Sequence, residues 1–447
     1  MEQKVDLTQG NILKGFVIFT IPLFGGSLFQ LLYGTVDMLF VGNFLGKNNA
    51  AAVGASSILV TCLVGLLTGI SVGAGAILAQ IWGARNMDEA DVCIENSLLL
   101  GGTGGILLTI IGIVFAELAL QLLHTPKSIM VNALIYIRIY LLSIIGMVFY
   151  NMAAGLLRAM GDSRTPFVVL ATGGVLNVIM DALFIVILKW GVAGAALATV
   201  ISQYFTAVVL VAYLIYKNQL WKKKWKINSS MFKRIMNVGV PVGVQSMVLT
   251  LSNLFVQYYI NELGENAVAA FTVYFKVENM IYLPIMAFGQ AMLTFTGQNI
   301  GAKNIRRIQK GAIVCNIFSA TVIGCISAVV LNFSEQILGW FCNDQAVITE
   351  GMKIVWISFP FYFIYAILEV TGGIVRGYKK TMQSMAIVIL NLCIIRVLLL
   401  DIFTSRYHTI RAIAMVYPIT WILAAMSFII YYCSIQYKNR KYIQKII

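Results

Sequence analysis

Histidine is nearly absent from this chain, and charge is scarce. His124 and His408 are the only two imidazoles in 447 residues, which leaves almost no material for a His-based metal site or a Ser-His-Asp arrangement. Seven cysteines form no C-x-x-C pair and fall mostly within apolar stretches, so they read as small packing residues. Charged residues make up 11% of the chain, where a soluble domain carries roughly a quarter. Together these shortages exclude most enzyme classes and a water-soluble fold. No aromatic-basic module of the nucleic-acid type is visible, so the net charge of +14 needs another explanation.

Hydrophobic residues are 60% of the sequence, and they are gathered into about twelve long runs. Six lie near residues 16–44, 50–81, 97–123, 130–157, 166–188 and 192–216, and six near 235–263, 267–300, 312–333, 352–375, 382–402 and 410–437. Each reaches the roughly 20 residues that a helix needs to cross a bilayer. The first run exceeds the apolar core of a removable signal and carries Pro22 and Asp37, so it is expected to stay as a membrane span. Lys and Arg crowd one set of loops: Lys4, Lys14, Arg85, Arg158, Arg164, the 217–234 cluster, Lys303, Arg306, Arg307, Lys310, Arg376, Lys379, Lys380, Lys438, Arg440, Lys441 and Lys445. The other set has only Lys47, Lys127, Arg138, Lys189, Lys353, Arg406 and Arg411. This bias accounts for the positive charge and predicts that both termini are cytoplasmic.

The chain also repeats itself. Gln80-Ile81-Trp82-Gly83-Ala84-Arg85-Asn86 returns 218 residues later as Gln298-Asn299-Ile300-Gly301-Ala302-Lys303-Asn304, Arg158 returns as Arg376, and Pro22 is matched by Pro241. An even number of spans per copy gives two halves of like orientation, the plan that transporters use for alternating access. The fold expected is an all-α polytopic membrane protein with about twelve transmembrane helices in two six-helix pseudo-symmetric lobes, 1–216 and 235–447, joined by a basic linker at 217–234. The linker, with Trp221 and Trp225 among its lysines, reads as a solvated segment resting on anionic headgroups.

Within the spans a few polar residues stand out, because an ionised side chain in hydrocarbon costs at least about 2.5 kcal/mol. Asp37 lies in the first run, and Asn177 and Asp181 lie in the fifth, one helical turn apart on one face. Such acids could line one pocket for a proton or a hard cation such as Na⁺, or could snorkel and hydrogen-bond within their bundle. The repeat offset brings no carboxylate opposite either one, which favours the ion-coupling reading. The second half has Lys276, Glu278, Glu369 and Arg396. They read equally as a structural ion-pair network, with Arg396 paired to Glu278 or Glu369, and as part of a substrate site.

In order and spacing the chain resembles the multidrug and toxic compound extrusion (MATE) family of secondary transporters, and within it the bacterial branch related to the DNA-damage-inducible transporters. The carriers are Pro22 with Val36-Asp37-Met38-Leu39-Phe40-Val41-Gly42, the Gln80 and Gln298 motifs, residues 158–166, Leu176-Asn177 with Asp181, residues 191–199, Arg376-Gly377-Tyr378, and Tyr417-Pro418-Ile419-Thr420-Trp421. The resemblance implies export of diverse, often cationic and amphipathic compounds in exchange for H⁺ or Na⁺, with no cofactor, from a bacterial cytoplasmic membrane, by a single chain. It also implies a coupling-cation site made by Asp37, Asn177, Asp181 and Thr199. It departs from one branch of the family at Leu249 and Tyr365, where that branch carries acids. Tyr33, Phe149, Tyr150, Tyr274, Tyr282, Met286 and Met292 are the aromatic and sulfur side chains expected around a cavity for greasy cations. A flippase for lipid-linked saccharide precursors is the rival; it would need more deeply placed bases than Lys276 and Arg396.

Overall fold

A computed structural model describes residues 5–122 and 125–444; the side chains of 55, 57–63 and 439–444 are not part of that description. His124, Lys4 and Lys445, and the side chains of Cys62, Arg440 and Lys441, therefore lie outside the described residues. Within them, twelve helices are long and apolar enough to cross a membrane. In chain order these are α1 (Ile12–Leu45), α2 (Lys47–Gly83), α3 (Met87–Leu122), α4 (Lys127–Ala159), α5 (Arg164–Ile187), α6 (Gly191–Lys217), α7 (Ser229–Glu262), α8 (Glu265–Gly301), α9 (Ile305–Asn332), α10 (Gln345–Gly377), α11 (Thr381–Tyr407) and α12 (Ile410–Gln444). Helix is the conformation these runs must take, because hydrocarbon offers backbone N–H and C=O groups no partner except one another. Ile106, Ile110, Val114 and Phe115 of α3 stay exposed, as residues facing lipid do.

The chain folds as two compact units. One holds Ile21–Ser246; the other holds everything from Met247 on, together with Leu7–Thr20. Each unit repeats the other's packing: α4 lies against α2, α3 and α6, and α10 lies against α8, α9 and α12. In their most apolar stretches the even-numbered helices are 44–72% buried and the odd-numbered ones 22–39%. The repetition extends to single backbone contacts. A Cβ placed on Gly155 would stand 3.0 Å from the Ser71 carbonyl oxygen, and one on Gly373 would stand 2.4 Å from that of Gly289, the same pair shifted by 218 residues. Left-handed backbone recurs at the same offset at Gly46 and Gly264, at Arg85 and Lys303, and at Gly161 and Lys379. In the repeated Gln motif this geometry closes the helix: Asn86 N–H donates to the Ile81 carbonyl at 3.3 Å and Asn304 N–H to that of Asn299 at 2.8 Å.

Two helices change units part-way along. α1 starts among the residues of the second unit and passes to the first at Thr20/Ile21, next to Pro22; α7 passes from the first to the second at Ser246/Met247, five residues beyond Pro241. The start of α1 is held firmly in the second unit. Arg307 donates to the carbonyls of Leu7 (3.1 Å), Gly10 (2.8 Å) and Gln9 (2.6 Å), Asn299 also donates to that of Leu7 (3.1 Å), and Phe16 stacks on Phe288. The start of α7 is held in the first unit by comparable means: Arg234 bonds Glu89, Asn228 N–H donates to Asn96, and Lys226 N–H donates to Glu95. There α7 meets α2 backbone to backbone, since a Cβ on Gly69 would lie 2.1 Å from the Gly243 nitrogen. Gly69→Ala should therefore destabilise the protein by about 3 kcal/mol or more. Gly324→Ala, where a Cβ meets nothing within 4 Å, should stay within about 1 kcal/mol of wild type; thermal unfolding of the two variants in detergent checks the contrast.

Candidate functional site

The polar residues of the first unit converge where two helices lose their regular turn. α1 widens into a π-helical segment at Val41–Leu45, one turn past Asp37, and α5 does the same at Ala182–Ile187, immediately after Asp181. The two π segments pack on each other and on α6, which brings the end of α1, the end of α5 and the start of α6 together. π turns are rare and collect at functional positions. Val41, Tyr136, Ile185, Val192 and Ala195 form an apolar cluster beside them.

In this setting Asp37, Asn177, Asp181 and Thr199 are all buried. The Thr199 hydroxyl donates to the Ala195 carbonyl at 3.3 Å, while the Tyr33 hydroxyl lies 2.8 Å from the Ser202 hydroxyl one turn along α6. The acids and the amide are not satisfied. Asp37 Oδ1, both carboxylate oxygens of Asp181 and both polar atoms of the Asn177 side chain are buried without a hydrogen-bond partner. Four of those five atoms are oxygens, the donor set that a hard monovalent cation or a proton requires. Tyr33, one turn before Asp37 on α1, also borders a cavity of about 170 Å³ lined by Phe29, Tyr140, Met147, Tyr150 and Leu170 among others.

The second unit arranges its polar residues differently. Glu278 Oε1 accepts hydrogen bonds from the hydroxyls of Tyr362 and, at 3.4 Å, Tyr274. Glu369 forms a largely buried ion pair with Arg376, so the expected pairing of Glu369 with Arg396 is not formed. Arg376 stands two turns further along the same helix, on the same face, and reaches the carboxylate first. The alternative pairing, Arg396 with Glu278, is not formed either: no carboxylate lies within 4.0 Å of the Arg396 guanidinium among the described residues. Its guanidinium lies instead over the Tyr417 ring, 5.1 Å from the centroid. Lys276 points away from Glu278 to an exposed position near Phe341. Of the expected cavity side chains, Tyr33 and Tyr150 line the cavity of the first unit, Tyr274 and Met292 are core, and Met286 is exposed.

The MatE family profile matches twice, at residues 22–183 and 241–402, once for each copy of the repeat. The chain belongs to the MatE family. It is 29% identical over 405 residues to the probable multidrug resistance protein YpnP of Bacillus subtilis, covering 88% of each chain. To the probable multidrug resistance protein NorM of Thermotoga maritima it is 26% identical over 397 residues, covering 86% of this chain and 83% of that one. A solved outward-facing multidrug resistance MATE family transporter shares the fold, with a TM-score of 0.91 at 23% identity over 98% of this chain and 99% of that one. As a MatE protein the chain is a multi-pass membrane transporter and not an enzyme.

The MatE repeat makes the site's asymmetry informative: the same profile covers both halves, yet only the first contains the two unsatisfied acids. The sequence reading names Asp37, Asn177, Asp181, Thr199 and Tyr33; it does not name Ser202, Tyr136 or Tyr140, which stand beside Tyr33 and the π segments. Ser202 stands three residues beyond Thr199, and Tyr136 and Tyr140 stand four apart, so helical spacing could have pointed to them. Asn177 offers a clean test of the unsatisfied atoms. Replacing a fully buried amide that has no partner with an isosteric apolar side chain should remove a penalty of about 1–3 kcal/mol. Asn177→Leu is therefore expected to unfold a few degrees above wild type, and a lower midpoint would mean that the amide is satisfied.

Proposed function

We propose that this chain is a cation-coupled antiporter that exports cationic or amphipathic compounds, with H⁺ or Na⁺ taken up by Asp37, Asn177, Asp181 and Thr199. The observation that carries the reading is the cluster of four unpartnered buried oxygens on Asp37, Asn177 and Asp181. Two acids held in a membrane span without partners are costly unless an ion or proton visits them. The names of the relatives, multidrug resistance proteins, support the class of compound, and the adjacent aromatic cavity suits flat organic cations.

α1 offers a physical link between ion and transport cycle. Its first turns are bound into the second unit while Asp37, near its other end, belongs to the first. A change of charge or hydrogen bonding at Asp37 would act on a helix that both units share, with Pro22 between the two parts as the point of lowest bending stiffness. The ion must bind the two states of the transporter with different affinity, since equal affinity would shift nothing. One charge moving inward through 100 mV supplies about 2.3 kcal/mol. The basic loops support a cytoplasmic-membrane location with both termini inside, and two lobes in one chain support a monomer as the working unit.

Efflux of a fluorescent lipophilic cation from proteoliposomes under an imposed H⁺ or Na⁺ gradient tests the reading. Wild type should export under one of the gradients, and Asp37→Asn and Asp181→Asn should each reduce the rate at least about tenfold, the loss of roughly one interaction made by a charged group. Unchanged gradient-driven export in both variants would overturn the assignment of the coupling site.

A further inference from the structure

The second unit holds a cavity that the transport reading does not use. It measures about 480 Å³, and its wall includes Asn266, Glu350, Lys353, His408, Thr409 and Arg411. That volume falls in the range of roughly 300–1,000 Å³ typical of small-ligand sites. The cavity lies where α8, α10 and α12 come together, near the membrane face at which all three begin. Asn266 and Arg411 stand in the first turns of α8 and α12, and Glu350 and Lys353 stand in the second and third turns of α10. This face is opposite the one that carries the 217–234 linker, and it is the outer face in the orientation proposed above.

The charge in this wall does not balance. Lys353 is paired with Glu350 at 2.5 Å, which leaves Arg411 without an acid: among the described residues its guanidinium has neither an ion pair nor a hydrogen bond. Arg411 also stands in the first turn of its helix, the end where partial positive charge already gathers and a cation is disfavoured. The repeat shows that the scaffold does not need these groups. At the 218-residue offset Glu350, Lys353, His408 and Arg411 correspond to Asn132, Ile135, Trp190 and Ala193 of the first unit. There Asn132 donates to Asn49 at 2.7 Å and Trp190 stacks on Phe184, so the same junction of three helices is made with neutral side chains at all four positions. In the second unit, one turn deeper along α10 and α12, Trp356 and Met415 are exposed; Trp is the residue that sits where headgroups meet acyl chains.

We propose that this cavity binds a phosphate ester, either the headgroup of an anionic lipid on that face or a soluble ester, with Arg411, Lys353 and His408 donating to the phosphate oxygens. The guanidinium fork matches phosphate geometry. Lys353 has three N–H donors, so it can hold Glu350 and a phosphate oxygen at once, and an imidazole keeps an N–H donor in either charge state. Three separate donors, on two helices and the connection before α12, suit the several oxygens of a phosphate better than the two of a carboxylate. Glu350 is left to accept from a hydroxyl on the alcohol side of the ester. The inference is independent of the coupling ion and of the compound exported. Its opposite is a surface hollow whose charges serve only to keep the loops solvated.

The test measures equilibrium binding of three probes to the delipidated full-length protein in detergent. Dioctanoyl phosphatidylglycerol has both phosphate and acyl chains, glycerol phosphate has only the phosphate, and dioctanoylglycerol has only the chains. Wild type should bind at least one of the two phosphate probes, and Arg411→Gln should weaken that binding at least about tenfold, the loss of a charge-assisted hydrogen-bonded contact. Arg406→Gln removes the same charge from the end of α11, outside the cavity, and should stay within about twofold of wild type. Tighter binding of phosphatidylglycerol than of glycerol phosphate identifies a lipid as the source, and binding no tighter identifies a soluble ester; both results support the site. Binding of neither phosphate probe, binding of dioctanoylglycerol as tight as that of phosphatidylglycerol, or an effect of Arg411→Gln no larger than that of Arg406→Gln each overturns the proposal. Should Arg411→Gln fail to fold, Glu350→Gln/Lys353→Gln replaces it, since it removes a donor without changing the net charge. Weakening of the phosphate probes by at least about fivefold in that variant supports the proposal, and unchanged binding refutes it.

Discussion

A charged or polar group in hydrocarbon must find a partner inside the protein, and the structure is organised around that requirement. The backbone meets it by forming twelve helices with no exposed edge. Most side chains meet it locally: hydroxyls such as Thr20 and Thr420 turn back on the carbonyls one turn earlier, and Glu369 closes on Arg376. A few side chains do not meet it. Asp37, Asn177 and Asp181 present unmatched oxygens in one unit, and Arg396 and Trp421 present unmatched N–H groups in the other. Surface salt bridges and packing can be exchanged at little cost, while an orphaned buried charge cannot.

The scaffold itself is duplicated down to individual backbone torsions, yet its chemistry is not. Left-handed turns recur at Arg85 and Lys303, and the close approach of residues 71 and 155 recurs at 289 and 373. These features depend on small residues and helix geometry, which two copies can share. Acids and bases in a bilayer act on everything nearby, so identical sets in both copies would double a penalty without adding a new capability. The two units have instead kept a common frame and different polar residues. The exchange of α1 and α7 between units gives each unit a lever that begins in the other.

Much of this was legible in the sequence because membrane solvation writes it there plainly. Uncharged runs of 20 or more residues specify spans, and acids within them are rare enough to be noticed one by one, so the twelve helices, Asp37 and Asp181 could be named without coordinates, whereas Thr199 enters only through the resemblance to the family. Three things could not. The π turns beside Asp37, Asp181 and Arg396 have no compositional signature, since Val-Gly-Asn-Phe-Leu and Ala-Leu-Phe-Ile-Val-Ile look like ordinary span residues. The partner of Glu369 was missed because Arg376 reads as a helix-end anchor, and its side chain has to run back two turns to reach the acid. The passage of α1 from one unit to the other at Thr20/Ile21 depends on the grip of Arg307 and Asn299 on Leu7, a contact across some 300 residues of chain.

The claim on which the account rests is that the unsatisfied oxygens of the first unit receive the coupling ion. Anything that binds the folded state alone raises its stability in proportion to the logarithm of its concentration, by about 2.7 kcal/mol at a hundredfold excess over its dissociation constant. The most direct measurement is the thermal unfolding midpoint of the detergent-solubilised protein as a function of Na⁺ concentration and of pH, for wild type and for the Asp37→Asn/Asp181→Asn double variant. The account predicts that one of the two ions raises the wild-type midpoint and that the double variant loses this dependence while remaining folded. A dependence that persists unchanged in the double variant, or that is absent from wild type for both ions, would contradict it.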